Sequence, residues 1–213
     1  MPLRALLYLS AAASAAYLVT FQWQPFPASA ALKGIPVGAL ALFALLARCA
    51  PHDTGLLALG LAFSTVGDVL LDLDPQYFVF GLGAFLLAHI TYTCLFLRNR
   101  AAEIRLDPPL LAAVLLVLAY SATLSAWIVP SVGGLAVPIV LYVCAITAMV
   151  TTALVARFQK RWVAAGAVLF LISDSLLAVN RFKTPVPLAG YFVWATYYLG
   201  QCGIALGYLD RAV

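Results

Sequence analysis

The chain carries very little charge. Asp, Glu, Lys and Arg together make up 9% of its 213 residues, against about a quarter in an ordinary soluble domain. With 65% apolar residues beside so few solvated side chains, a water-facing globular surface is excluded. Histidine is scarce, at two residues. The four cysteines, Cys49, Cys94, Cys144 and Cys202, lie within or at the ends of separate apolar stretches, with no CxxC pair and no Cys/His cluster. That pattern points away from a disulfide framework and a zinc site, and reads the thiols as small buried hydrophobes. A GxSxG motif is missing, which argues against a serine lipase, and no metal-ligand cluster suggests a metalloenzyme. The expectation is no metal and no cofactor. No basic stripe with interleaved aromatics is present, so nucleic acid is not an expected partner.

What the chain does have is long apolar blocks, with a mean hydropathy of +1.03. Eight spans are predicted, at 2–21, 33–50, 55–73, 77–97, 109–128, 132–156, 162–180 and 187–209, each near the ~20 residues a helix needs to cross hydrocarbon. Turn chemistry separates them at Gln22–Pro27, Pro51–Thr54, Asp72–Pro75, Pro108–Pro109, Pro130–Gly134 and Thr184–Pro187. The break at 130–134 lacks charge, so fusion or displacement of its two flanking spans is the alternative there. Only helices satisfy their own backbone in lipid at these lengths. The expected fold is all-α: a single transmembrane helical domain over 1–213, with connections too short for a separate soluble domain. Arg4 followed by an apolar run and Ala11–Ala16 resembles a signal peptide. The run continues through Tyr17, Leu18, Val19 and Phe21, which favours an uncleaved first span.

Lys and Arg placement sets the expected orientation. Arg4, Arg48, Arg98, Arg100, Arg105, Arg157, Lys160, Arg161 and Arg211 fall on one side, and Lys33, Arg181 and Lys183 on the other. Nine against three puts both termini in the cytoplasm. With no organelle signal recognisable, a bacterial inner membrane is the default location.

Two stretches echo each other. Phe63–Leu71 reads FSTVGDVLL and Phe170–Leu177 reads FLISDSLL, aligning Asp68 with Asp174. In the following spans Gly81 then aligns with Gly190, Phe85 with Trp194, His89 with Tyr198 and Tyr92 with Gln201. Spans three and seven run in the same direction, so the echo suggests a parallel duplication of two four-helix halves. Chance similarity among apolar helices is the competing explanation.

Asp68 and Asp174 are the leading candidates for chemistry, because a carboxylate inside a span costs several kcal/mol unless it is paired or used. At about 1.5 Å rise per residue, each lies roughly 10 Å inside its helix end, at one depth. Capping of nearby hydroxyls such as Ser64 and Ser173 is the structural alternative. Ser64, Asp68 and Asp72 form a stripe at i, i+4 spacing; Asp72, close to the helix end, equally suits a solvated residue or a partner for Lys33. Asp74 reads as a turn residue. His89, mid-span with Tyr92 one turn on, is either a buried hydrogen-bonded histidine or a proton carrier. At about 18 Å from Tyr77 it lies deeper than the aspartates, a gap that helix tilt closes. His52 is a loop residue with no assigned role. Lys33, opening the second span, and Arg181 and Lys183, ending the seventh, are either snorkelling anchors or a phosphate-receiving rim above the acids. Tyr191, Trp194, Tyr198 and Gln201 share one helical stripe, for which aromatic packing is the default. Tyr198 and Gln201 lie deep enough to need polar partners on the pocket wall.

The block LAFSTVGDVLLDLDPQYFVFGLGAFLLAHITY at 61–92 resembles the YhhN-like lysoplasmalogenase family in its Gly-Asp, its F-x-x-G and its Ala-His-x-x-Tyr. GAVLFLISDSLLAVNRF at 166–182 is similar to that family's Ser-Asp block with its trailing Arg-Phe, and ALKGIPVGAL at 31–40 to its Lys-x-x-Pro. The first, fifth and sixth spans match only in hydropathy. The resemblance implies hydrolysis of the 1-alkenyl ether of a lysoplasmalogen, giving a fatty aldehyde and glycerophosphoethanolamine or glycerophosphocholine. Lysophospholipid, water and membrane lipids are then the expected partners.

The residues suit such a reaction. A vinyl ether is hydrolysed by protonating its β-carbon, giving an oxocarbenium ion that water captures. The step needs an acid still protonated near neutral pH and an anion beside the cation. Burial disfavours a carboxylate and a second carboxylate nearby disfavours it further; glycosidases handle a related cation with two carboxyl groups. One of Asp68 and Asp174 is expected to donate the proton and the other to stabilise charge. His89 or Asp72 would assist proton return, Lys33 and Arg181 would hold the phosphate, and Ser64, Tyr92, Tyr198 and Gln201 would line the site. The main alternative is a transporter that uses the same buried carboxylates to relay protons or bind a coupling ion. A lipid-binding scaffold, in which polar residues only join helices, is a third possibility.

Overall fold

The computed structural model describes residues 3–24, 26, 28–47, 53–100, 107–156, 158 and 161–209. Cys49 and His52, with Arg48, Arg105, Arg157, Lys160 and Arg211 of the charge count, lie outside the described residues. Among the described residues, eight α-helices follow one another: α1 (Arg4–Thr20), α2 (Ser29–Leu46), α3 (Thr54–Leu73), α4 (Phe78–Arg98), α5 (Pro108–Ile128), α6 (Ala136–Val155), α7 (Trp162–Phe182) and α8 (Ala189–Leu209). The chain is an all-α polytopic membrane protein. Helices α1 to α7 are each long and apolar enough to cross a membrane, counting the short 3-10 turns that extend α1, α4, α5 and α6. Helix α8 is as long as α7, but its tyrosines, glycines and Gln201 lower its hydropathy. It has less need of apolar character, because much of it is buried against its neighbours.

The boundaries follow local chemistry. Asp107 caps α5 by accepting from the Leu110 amide at 3.2 Å, and Pro108 and Pro109 fill the first turn, where their missing N–H groups cost nothing. The uncharged break at 130–134 is a real one, made of 3-10 turns at Val129–Ser131 and Gly133–Leu135. Asp74 is a turn residue as expected, its side chain accepting from the Gln76 amide at 2.9 Å. The second span is displaced from its expected position. It begins at Ser29, so Lys33 sits one turn inside the helix instead of opening it.

Helix α3 packs against α2 and α4, α7 against α8, and α6 against α4 and α5. Lipid gives little hydrophobic drive to helix association, so close backbone approach takes its place. Helices α7 and α8 meet at Gly166 and Gly200, where a Cβ added to Gly166 would lie 2.5 Å from the Gly200 carbonyl oxygen. Most hydroxyls inside helices are satisfied locally: Thr65, Thr91, Thr93, Thr147 and Ser175 each donate to the carbonyl four residues back. Cys94 and Cys144 are exposed on the outside of the bundle, which corrects their reading as buried hydrophobes; Cys202 is half-buried.

Candidate active site

A cavity of about 430 Å³ opens within the bundle. Its lining comes from the C-terminal portions of α1, α3, α5 and α7 and the N-terminal portions of α2, α4, α6 and α8. Helices that alternate in direction bring those portions to one end, away from the chain termini. Among the described residues, five charged side chains line it: Asp68, Asp72, Asp174, Lys33 and Arg181.

The two aspartates of the echoed stretches meet here, and each is held by a tyrosine. Asp68 on α3 is 2% exposed and accepts at Oδ2 from the Tyr197 hydroxyl of α8, at 2.6 Å. Asp174 on α7, with its side chain 15% exposed, accepts at Oδ2 from the Tyr142 hydroxyl of α6, also at 2.6 Å. His89 of α4 is fully buried. Its Nε2 lies 3.0 Å from the Tyr142 oxygen and 3.4 Å from Asp174 Oδ2. Tyr142 spends its one proton on the carboxylate, so an Nε2–H on His89 would donate to the phenol oxygen and the chain of bonds would run from imidazole to phenol to carboxylate. His89 therefore does reach the depth of the acids, though from behind the cavity wall.

A second cluster lies nearer the helix ends. Asp72 accepts from the Tyr17 hydroxyl at 2.8 Å and faces the Lys33 ammonium at 3.7 Å, so Asp72 and Lys33 are partners as well as lining residues. Arg181 holds its guanidinium over the Phe78 ring, 3.7 Å from its centroid. Lys183 turns away towards Ser131 and the Trp127 ring.

Besides His89, four sequence candidates fall outside the lining. Tyr92 donates to Gln201 at 2.8 Å, and both are fully buried beyond the cavity, with Ser64 against Tyr92. Tyr198 exchanges a hydrogen bond with Ser10 of α1 at 2.9 Å. Ser173 serves a backbone carbonyl, that of Val193, and does not cap Asp174. Three tyrosines that matter went unselected in the sequence: Tyr17, Tyr142 and Tyr197. The available signal was a phenol inside an apolar span, which needs a polar partner somewhere.

Chemically, the arrangement sets two carboxylates on the wall of a largely apolar cavity, each with one strong donor. Such a pair can deliver a proton to a bound molecule and face the cation that results. Among the described residues, no three His, Cys, Asp or Glu side chains converge closely enough to hold a metal ion.

An all-helical membrane bundle with a paired-carboxylate cavity is thus what the fold and site define, and its family follows from comparison. A model of the YhhN family matches residues 28–208, and the chain belongs to that family. It is similar to "Lysoplasmalogenase" of Mycobacterium bovis, 38% identical over 154 residues, covering 70% of this chain and 58% of the relative. It is also similar to human "Lysoplasmalogenase TMEM86A", 31% identical over 201 residues, covering 85% of this chain and 78% of the relative. Human "Lysoplasmalogenase TMEM86B" is 33% identical over 185 residues, with 87% and 77% covered. The chain spans a little over half the length of the mycobacterial relative. No solved structure matches it significantly.

Proposed function

We propose that this chain is a lysoplasmalogenase, hydrolysing the 1-alkenyl ether of a lysoplasmalogen to a fatty aldehyde and glycerophosphoethanolamine or glycerophosphocholine. The observation that carries this reading is the convergence of Asp68 and Asp174 on one membrane-embedded cavity, each gripped by a tyrosine at 2.6 Å. Similarity to proteins named lysoplasmalogenase over most of the chain supports it.

In the reaction, one aspartic acid transfers its proton to the β-carbon of the vinyl ether, whose π electrons form the new C–H bond. The oxocarbenium ion left behind faces the other carboxylate. Water adds to the cationic carbon and gives up a proton to a carboxylate, forming a hemiacetal. Its collapse breaks the carbon–oxygen bond to glycerol, releasing the aldehyde and the glycerophospho-alcohol and restoring the starting protons. On this reading His89, joined to Asp174 through Tyr142, and Asp72 return protons, and Lys33 and Arg181 meet the phosphate.

The same reading includes orientation. The cation count puts both termini in the cytoplasm, so the cavity opens to the opposite face of what we take to be a bacterial inner membrane. It also includes the parallel four-plus-four repeat, for which α2 packing on α8 as α4 packs on α6 is the supporting observation.

The experiment is aldehyde release by purified protein from alkenyl and acyl lysophospholipids in deuterated water. The expected result is aldehyde from the alkenyl substrate only, with one solvent deuterium on the carbon next to the carbonyl. Aldehyde without that deuterium would rule out carbon protonation. Substrate flux into sealed liposomes with no product would favour a transporter instead.

A further inference from the structure

The two ends of the cavity differ in polarity. Tyr17, Gln24, Lys33, Asp68 and Asp72 come from α1 to α3, whereas the wall built by α5, α6 and the end of α7 is mostly apolar, with Leu124, Ile128, Ile139, Val143, Ala178 and Phe182 beside Ser121, Ser125, Asn180 and Arg181. Several of these side chains form an apolar cluster separate from the main core. Asp174 of α7 and its donor Tyr142 of α6 line the cavity too.

The apolar end is closed off from lipid by a single helix. On α5 only Val117, Ser121 and Ile128 are buried, and with Leu124 and Ser125 they make one inward stripe. Leu111, Leu115, Leu116, Leu118, Tyr120 and Trp127 of the same helix are exposed on the outer surface. Helix α5 packs on α6 but touches α7 only sparsely. The other walls are tighter: a Cβ at Gly67 of α3 would lie 2.6 Å from the Phe85 ring of α4, and α7 and α8 touch through backbone. The α5–α7 seam is a sparsely packed part of the enclosure.

We propose that this apolar end is the binding site for the substrate's hydrocarbon chain, which lies against Ser121, Leu124, Ser125 and Ala178 and reaches the bilayer through the seam between α5 and α7. The proposal rests on the lysoplasmalogenase reading for the identity of the lipid. The lining offers each part of such a molecule a counterpart: Lys33 and Arg181 for the headgroup, carboxylates for the ether, and a mostly apolar wall for the chain. Lateral passage also spares the chain any contact with water, which entry by the polar mouth would require.

The test compares long-chain and short-chain alkenyl lysophospholipids in wild type, Ser125→Phe and Ala178→Phe, with outward-facing Leu116→Phe as control. Bulk on the wall is expected to shift the long-to-short ratio of kcat/KM about tenfold towards the short chain, with no shift in the control. Because both substrates are measured on one preparation, a partly unfolded variant leaves the ratio unchanged. Binding of unhydrolysable 1-alkyl lysophospholipids, read by thermal stabilisation, should show the same shift in chain-length preference. An unchanged ratio in both wall variants, by rate and by binding, overturns the chain site. Chain-length-dependent binding without any hydrolysis by wild type overturns the activity and leaves the chain site supported.

Discussion

Asp68 and Asp174 occupy corresponding places on α3 and α7, yet their surroundings differ. Asp68 is sealed, 2% exposed, with Tyr197 as its one described hydrogen-bond donor. Asp174 is more open to the cavity, and behind its donor Tyr142 stands His89, itself 3.4 Å from the same carboxylate oxygen. The difference teaches that a repeated sequence pattern need not give repeated chemistry. On the proposed reading, the group with two donors in reach is suited to face the cation, and the sealed group to deliver the proton.

The widest test of the comparison removes each carboxylate. Asp68→Asn and Asp174→Asn are each expected to lower aldehyde release by about a thousandfold, within the range for a lost general acid or base. If the pair acts as one unit, the double variant falls little further than either single. Full activity in both single variants would show that the site lies elsewhere.

Next come the tyrosines. Removing a hydrogen bond to a charged group costs about 1.5–3 kcal/mol, or roughly ten- to a hundredfold in rate. Tyr197→Phe should approach the upper figure, because Asp68 has no other described donor. Tyr142→Phe should approach the lower one, because His89 is close enough to take over. Equal losses would erase the asymmetry. A smaller effect is expected from His89→Leu alone, about fivefold in kcat, with His89→Gln milder because it keeps an N–H donor. Combined with Tyr142→Phe, His89→Leu should cost more than the sum of the two, since the substitute donor is then gone. The smallest effect is that of Lys33→Gln, about a threefold rise in KM with kcat little changed, as befits a partly exposed ion pair. It should shrink as salt is added.

Much of the fold was legible because hydrocarbon thickness and backbone satisfaction leave few options. Helix ends were less so. Ser29, Ala30 and Ala31 carry no apolar signal strong enough to mark the first turn of α2, and Lys33 looked like a boundary although the helix runs past it. The two aspartates were legible since charge inside a span demands explanation. Their partners were not. Helix α8 carries aromatics on several faces, and nothing in its periodicity says that Tyr197 turns to the acid while its neighbour Tyr198 turns to Ser10. Tyr142 is the lone tyrosine of α6, and its role depends on α6 lying between α4 and α7, which no local pattern encodes. Tyr92 and Gln201, expected beside the acids, bond to each other instead.

That last pairing has a wider consequence. Below it, in the half of the bundle nearer the termini, Leu57, Leu61, Leu95, Phe96, Val163, Ala167, Ile204 and Tyr208 are all 0% exposed. Acidic groups, phenols and an imidazole linked in series are the components of a proton wire, and a wire through an energised membrane is a short circuit. On the proposed reading, this tightly packed layer would interrupt such a wire, so that protons handled at one face would not leak to the other.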